Sequence, residues 1–547
     1  MQHSSLKAAH PDAIVIGGGH NGLICAGYLA KAGLKVTVLE RRDVVGGPAA
    51  TQEFMPGFHS AITNSPGSLE PKIVADFALE EHGLQFVRPN PTLVHPLTDG
   101  RLFVGWRERE RVDAQLESFA PGESARYHGV FDYLNWFASR LGISIFQEPP
   151  SLQELVRNLT TLEEQEAFSR IFLGSVRQLY EHFELAEETK AIMGPLSVVS
   201  GLVGPSTPGT PFNLMMRPLS LASLKSVSED DPRRMPLRGS TGLAIGGMGA
   251  IIAAIEKSVL ALGVTIIRSA PVERIIDEGK CISVELADGR GFTAPTVISS
   301  MHPHLTVAAV ESPAPEWRDI KAKMVRSPSG GSAFKIVLAL GDIPRYAAAR
   351  SEDEARQLAT AQLRIAPTLD YLDHCHADLL RGKMPERPLI WGLCHSLTSP
   401  AMAPEGKHIL SLNLGGPPHY GGREPVAFDK HKAVEKVLGI LAEWIPNIPD
   451  IVENYACIEA AQFEADYGLY GANIAHLDMM PIHQFWMRPL PGLHRYRTPT
   501  PGLYLSGVGT WPGNYFSGIP GHNTSHAVLS DLAAARQNLE LIGEEHG

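Results

Sequence analysis

From Asp12 to Glu40 the chain reads DAIVIGGGHNGLICAGYLAKAGLKVTVLE: a short β-branched run, a glycine turn, a helical stretch and a second strand ending on an acid. This order constrains the fold more than any other feature, because each part has a physical task in binding an adenine dinucleotide. Gly17 permits a tight turn after the strand Ala13-Ile14-Val15-Ile16. Gly19 lets backbone N–H groups approach a pyrophosphate, and Gly22 lets the helix pack close to the sheet. The helix, expected from Asn21 to Ala32, aims its unpaired N–H groups and positive dipole end at the phosphates. Lys35 to Leu39 supplies the second strand, and Glu40, 23 residues after Gly17, is placed to accept the ribose hydroxyls.

Two further stretches choose between a nicotinamide and a flavin. Directly after Glu40 come Arg41, Arg42, Asp43, Val44, Val45, Gly46 and Gly47. A glycine pair here lets the chain run close along a dinucleotide that continues toward a flavin. Far downstream, TPGLYLSGVGTWPGNYFSGIPGHNTSHAVLSDL holds a strand leading into Gly507-Val508-Gly509-Thr510, then a helix opened by Pro520. That helix start would direct positive potential at the pyrimidine side of an isoalloxazine. A second GxGxxG with its strand and acid is absent, which argues against a reductase driven by NAD(P)H.

The motifs GGGHNGL, ERRDVVGG, LAIGGMGAIIAAIEK, RPLPGLHRYRTPTPGLYLSGVGT and SGIPG resemble the phytoene desaturase and carotenoid isomerase-type family of FAD-dependent oxidoreductases. Within it, the likeness is strongest to the branch named for a pyridine nucleotide-disulfide oxidoreductase domain. It spans nearly the whole chain, with few motifs between Trp106 and Met235. The resemblance implies an α/β fold in which a glutathione-reductase-like (GR2-type) Rossmann FAD domain is discontinuous, built from residues 1–75, 235–310 and 485–547. A mixed α+β substrate domain would come from a helical insert, 76–234, and a sheet over the flavin, 311–484. Together with the glycine motif it nominates Gly17, Gly19, His20, Asn21, Gly22, Glu40, Arg41, Gly46, Gly47, Gly507, Gly509, Gly513, Asn514, Ile519 and Pro520 as FAD-binding. Val272 would hold the adenine ring through its backbone.

The central piece reads as a glycine turn, Gly246-Gly247-Met248-Gly249, into a helix from Ala250 to Leu262. A hairpin follows, Ile282 to Leu286 against Phe292 to Ala294 through Asp288-Gly289, and Val297-Ile298-Ser299 returns to the main sheet. In the first insert Ser151 with Glu154 and Thr161 with Glu164 fit capping boxes. Phe168, Ile171, Phe172, Val176, Leu179, Tyr180 and Phe183 recur at helical spacing, as a core stripe or as the wall of an apolar channel. The glycines and prolines from Gly201 to Pro211 mark a loop that would serve as a lid.

Three residues are candidates for catalysis. Lys335 lies in the apolar run Phe334 to Leu340, where it either alternates outward to solvent or, as in related amine-oxidase folds, holds a water at flavin N5. His476 and His483 are seven residues apart, a spacing that would share one helical face, and histidine titrates near neutral pH. The chain departs from the family pattern by carrying His483 where an acid is common. His374-Cys375-His376 has the look of a metal cluster, but adjacent residues of a strand point apart, so a solvated loop without metal is expected. Trp511, Asn514, Tyr515 and Phe516 bring bulk to the flavin loop, either narrowing the pocket or packing on the ring.

Composition fits a globular protein. Of 547 residues 44% are hydrophobic and 20% charged, and the net charge of −11 argues against nucleic acid as a partner. No stretch of about 18 apolar residues is present to cross a membrane, and the N-terminus lacks a signal-peptide core, though peripheral membrane contact stays open. Five scattered cysteines suit a reducing, cytoplasmic setting and offer no redox pair. The expected activity is dehydrogenation of an apolar or partly apolar small molecule, with hydride passed to FAD and reoxidation by oxygen, a quinone or another acceptor. The rivals are a flavin-dependent double-bond isomerase and a non-catalytic binding protein like the Rab GDP-dissociation inhibitors.

Overall fold

The run Ala13–Ile16 is wholly buried because it lies at the centre of a five-stranded parallel sheet, flanked by Thr296–Ser299 on one side and Val36–Leu39 on the other. Leu503–Leu505 and Thr265–Ile267 complete the edges, so strands from three distant parts of the chain make one layer. A computed structural model describes residues 11–64, 68–199, 201–224, 242–327, 330–421, 426–513 and 515–545. The helix His20–Lys31 packs between Met248–Ala261 and Ile519–Glu545. Leu23, Ile24, Ala26 and Leu29 from the first meet Ile251, Ile255, Val259 and Val528 from the others and cover the face of Ala13 and Val15, while Ile14 and Ile16 pack on the opposite face against Ile275, Val284 and Leu286, so both faces are covered and the apolar runs are continuous. Ile519, not Pro520, is the first residue of the last helix.

The hairpin Ile282–Leu286 with Gly291–Ala294 forms as expected and joins Val272–Asp277 in a four-stranded sheet. A larger, seven-stranded sheet runs in the order Val452–Ile458, Gly330–Leu340, His408–Tyr420, Ile390–Cys394, Gln362–Ile365, Leu93–Pro96, Leu102–Val104. Its last two strands come from the first insert, which is therefore not purely helical: short polar-flanked runs such as LVHP carry too little periodicity to announce themselves.

In the helical part, both expected capping boxes form, and Ser175 with Gln178 makes a third. Ile171, Phe172, Val176, Leu179 and Tyr180 are core, with Phe168 and Phe183 packed against them, which decides the stripe in favour of packing. Residues 201–209 are turns, and Thr210–Met215 tightens into a 3₁₀ helix. His374-Cys375-His376 is helical, within Leu369–Leu380, rather than a loop. A strand or loop reading failed there because Leu369, Leu372, Cys375 and Leu379 keep the helical period beneath the polar residues. Among the described residues no helix is long and apolar enough to cross a membrane.

Candidate active site and cofactor cleft

A cavity of about 1030 Å³ runs from the first glycine turn, past the face of the seven-stranded sheet, to the helical part. That volume is at the upper end of the roughly 300–1,000 Å³ usual for small-molecule sites.

At one end the lining is largely backbone. Gly17 takes φ of 99° and donates its N–H to Leu39 O at 2.8 Å, which turns the chain off the sheet. A Cβ on Gly22 would lie 2.0 Å from Gly17 O, so helix and turn touch with no room for a side chain, whereas a Cβ on Gly19 would meet nothing within 4 Å. The close approach and the open cradle sit three residues apart, as a bound pyrophosphate requires. Glu40 accepts from Gly18 N at 2.7 Å and from Arg42 N at 2.9 Å, which fixes the carboxylate beside the turn. Gly46, at φ of 115°, donates to Gly18 O at 2.8 Å, so the second glycine pair is tied directly to the first motif.

The last helix closes the same end. Gly521 N donates to Asn21 Oδ1 at 3.4 Å, pinning two helix starts together. Asn21 is buried with its Nδ2 donor unmatched among the described residues, and it lines the cavity. A buried amide donor between two helix N-termini fits a phosphate-bearing group. His20 contacts Tyr515 O at 3.2 Å through Nε2, and burial pulls it down to about 4, so the ring is neutral.

Of the nominated residues, Gly17, Gly19, His20, Asn21, Glu40, Arg41, Gly47, Val272 and Gly507 line the cavity. Gly22, Gly46, Gly509, Gly513, Ile519 and Pro520 stand behind the lining, shaping the turns that do. Asn514 lies outside the described residues. Tyr515 and Phe516 line the cavity, while Trp511 is fully buried against Phe485, 4.7 Å between ring centres, so the aromatic bulk of this loop is divided between pocket and packing.

The candidate catalytic residues fare differently. His476 lines the cavity, in a turn at φ of 63°, and burial followed by the nearby Arg488 lowers it to about 3. His483 sits in the 3₁₀ turn Pro481–His483, away from the cavity. The two share no helical face, because Pro481 and the non-helical turn at His476 break the intervening chain. Lys335 does not alternate outward to solvent: its strand is buried on both faces. Its Nζ donates to Ser411 Oγ at 2.5 Å, Asn64 Oδ1 at 2.8 Å, Asn413 Oδ1 at 3.2 Å and Ile62 O at 3.3 Å. Burial lowers it to about 7. Lys335 is itself behind the wall, and its partners Asn64 and Asn413 line the cavity.

Arg488, fully buried, was legible only as part of a family segment. It donates to Ala475 O at 2.7 Å and Val508 O at 2.8 Å, and also to Thr510 O, Leu477 O and His483 O. It thus bolts the 475–483 segment to the glycine loop after Leu505. Asn64, Arg364, Trp391 and Asn413 also line the cavity without having been singled out. For Arg364, Trp391 and Asn413 the trace in the sequence is a polar or bulky residue breaking an otherwise apolar strand; Asn64 lies beyond the end of the strand Phe58–Ser60.

A parallel dinucleotide-type sheet joined to a second sheet over one deep cavity defines a flavin-dependent oxidoreductase. The chain belongs to the family described as flavin containing amine oxidoreductase, whose model matches residues 22–510. It is 28% identical to pyridine nucleotide-disulfide oxidoreductase domain-containing protein 2 of Rattus norvegicus, over 95% of this chain and 94% of that protein. It is 25% identical to the neurosporene-forming phytoene desaturase of Cereibacter sphaeroides, over 95% and 94% of the two chains. Among solved structures, putrescine oxidase aligns with a TM-score of 0.61 at 17% identity, covering 96% of this chain and 99% of that one. The chain is an FAD-dependent oxidoreductase enzyme with the GR2-type Rossmann fold.

Proposed function

We propose that the protein dehydrogenates an apolar or partly apolar small molecule. The observation that carries this reading is the continuity of the cavity: a backbone-lined dinucleotide end opens, without a wall, into an end lined by Leu196, Val203, Leu214, Leu372, Leu389 and Leu393. Of the described residues, those within 11–75, 242–310 and 485–545 would make the cofactor half, and those within 76–224 and 311–484 the substrate half; the expected boundary at 234/235 lies outside the described residues. Bound FAD supplies the hydride acceptor.

The chain's own residues hold, orient and dry the site. Gly17, Gly19 and Asn21 would hold the pyrophosphate, Glu40 the ribose and Val272 the adenine ring, and Gly507 with Val508 would line the place of the flavin. Arg488 keeps that loop in register with His476. His476, too weakly basic to be protonated near neutral pH, acts as a neutral hydrogen-bonding group on the cavity wall. Lys335 orients the amides of Asn64 and Asn413. The apolar walls would exclude water and hold the substrate's apolar body in place for hydride transfer. With FAD bound, the net reaction would be loss of a hydride to the flavin and of a proton from the neighbouring carbon to a base or a water, leaving a double bond, with the electrons passing on to oxygen, a quinone or another acceptor.

Anaerobic mixing of the FAD-loaded protein with candidate apolar compounds tests this. Dehydrogenation bleaches the flavin bands in step with formation of the unsaturated product. Conversion of the compound without bleaching assigns the site to double-bond isomerisation instead.

A further inference from the structure

The far end of the cavity is not purely apolar. Along the face of the seven-stranded sheet, Lys335 pairs across to Asn413, Asn413 to Trp391, and Trp391 to Arg364, so four side chains form one row from strand to strand. With about 4.8 Å between strands, Arg364 stands roughly 14 Å from Lys335. On the strand Gln362–Ile365, Leu363 and Ile365 turn into the core behind the sheet, while Gln362 and Arg364 turn into the cavity.

Arg364 is only 9% exposed. Its guanidinium stacks on Trp391, 4.2 Å from the ring centre. Nε and Nη2 both donate to Gln362 Oε1, at 3.2 and 2.9 Å, which fixes the plane of the fork. Nη1 is buried and has no hydrogen-bond partner among the described residues, and no carboxylate among them pairs with the group. The second charge that faces it is another cation, Arg217, which also lines the cavity. Burial pulls Arg364 down to about 9, which leaves it charged at neutral pH. An unpaired buried guanidinium is costly, and protein interiors rarely keep one without a ligand to answer it. The planar fork left by Nη1 and the second N–H of Nη2, held in one orientation by Gln362 and Trp391, matches the two oxygens of a carboxylate.

We infer that the substrate carries a carboxylate, bound at Arg364, with its apolar body lying along the sheet toward the Lys335 and Asn413 end. This rests on the reading of the cavity as the substrate site. It separates the protein from enzymes that act on amines, whose cationic groups Arg364 would repel, and from those that act on unsubstituted hydrocarbons, which would leave the buried charge unmatched.

The test is calorimetric titration of the FAD-loaded protein with three probes of equal chain length: decanoate, decanol and decylamine. The inference expects decanoate to bind at least tenfold more tightly than decanol, and decylamine to bind least. Arg364→Gln should bring decanoate down to the affinity of decanol while leaving the affinity for decanol where it was. Arg364→Lys, which keeps the charge but loses the planar fork, should restore part of the preference. If decanol binds as well as decanoate, if the amine is preferred, or if the glutamine variant keeps the preference, the inference is wrong. The probe comparison on the unaltered protein decides the matter even if a variant misfolds. Binding heat is read without turnover, so a carboxylate that binds through Arg364 but bleaches no flavin counts against the dehydrogenation, not against the subsite.

Discussion

The two ends of the cavity are made of different material. At the dinucleotide end the wall is mostly main chain: the glycine turn at Gly17 to Gly22, the pair Gly46-Gly47 hydrogen-bonded back to Gly18, and one carboxylate, Glu40, gripped by two backbone N–H groups. At the far end, proposed to take the substrate, the wall is made of side chains such as Asn413, Trp391 and Arg364, each from a different strand. Main-chain recognition admits few residue types at fixed spacing, because a Cβ in the wrong place removes the site. Side-chain recognition asks only that one residue of a strand point inward, so that end is free to change its substrate while the cofactor end stays the same.

Breaking the backbone end should have the largest effect. Gly22→Val places its Cβ against Gly17 O, which a Cβ would already approach to 2.0 Å, and the turn cannot close. FAD uptake should be lost, as read by absorbance of the purified protein, whereas Arg364→Gln should stay yellow. A yellow Gly22→Val variant would break the contrast between the two ends.

Glu40→Ala is the next step down. It removes the acceptor for Gly18 and Arg42 as well as the proposed ribose contact. Hydrogen bonds to a charged group contribute about 1.5–3 kcal/mol, so the Kd for FAD should rise about 10- to 100-fold, measured by fluorescence titration of the apoprotein. Glu40→Gln should recover part of the loss.

Lys335 sharpens the comparison from the sheet side. Its folded pKa of about 7 lies below the unfolded value of about 10.4, so between these limits the unfolded chain binds the extra proton. Its contribution to stability therefore rises with pH through that window and is lost as pH falls toward 7, with a slope of up to about 1.4 kcal/mol per pH unit. Denaturant melts of the unaltered protein and of Lys335→Met from pH 7 to 10 should differ by this slope. Parallel curves would mean that the buried amine titrates normally.

The smallest effect belongs to a site remote from both ends. Ser151→Ala opens the capping box with Glu154 and should cost about 1 kcal/mol in a denaturant melt, with FAD affinity unchanged. A change in FAD affinity here would show that the helical part is coupled to the cofactor cleft.

The same contrast explains what the sequence could disclose. The parallel sheet, the glycine turns, Glu40 and the capping boxes were legible because each is a local pattern with one physical solution. The two strands that the first insert lends to the large sheet were not, since Leu93–Pro96 and Leu102–Val104 are too short to show a period. Lys335 was visible as an oddity, but its sense depended on Asn64 and Ser411, 271 and 76 residues away along the chain. His476 and His483 shared a helical spacing without sharing a helix. Arg364 looked like any strand arginine until its neighbours were known; only the fold shows that its Nη1 is buried and unanswered among the described residues.

The central claim is that three distant stretches of chain close around a single flavin on which the redox chemistry runs. Extraction and counting of FAD against protein, with the visible spectrum of the purified chain, addresses it most directly. The account predicts one FAD per chain, with bands that disappear together in Gly22→Val. A colourless protein that takes up no added FAD would contradict it.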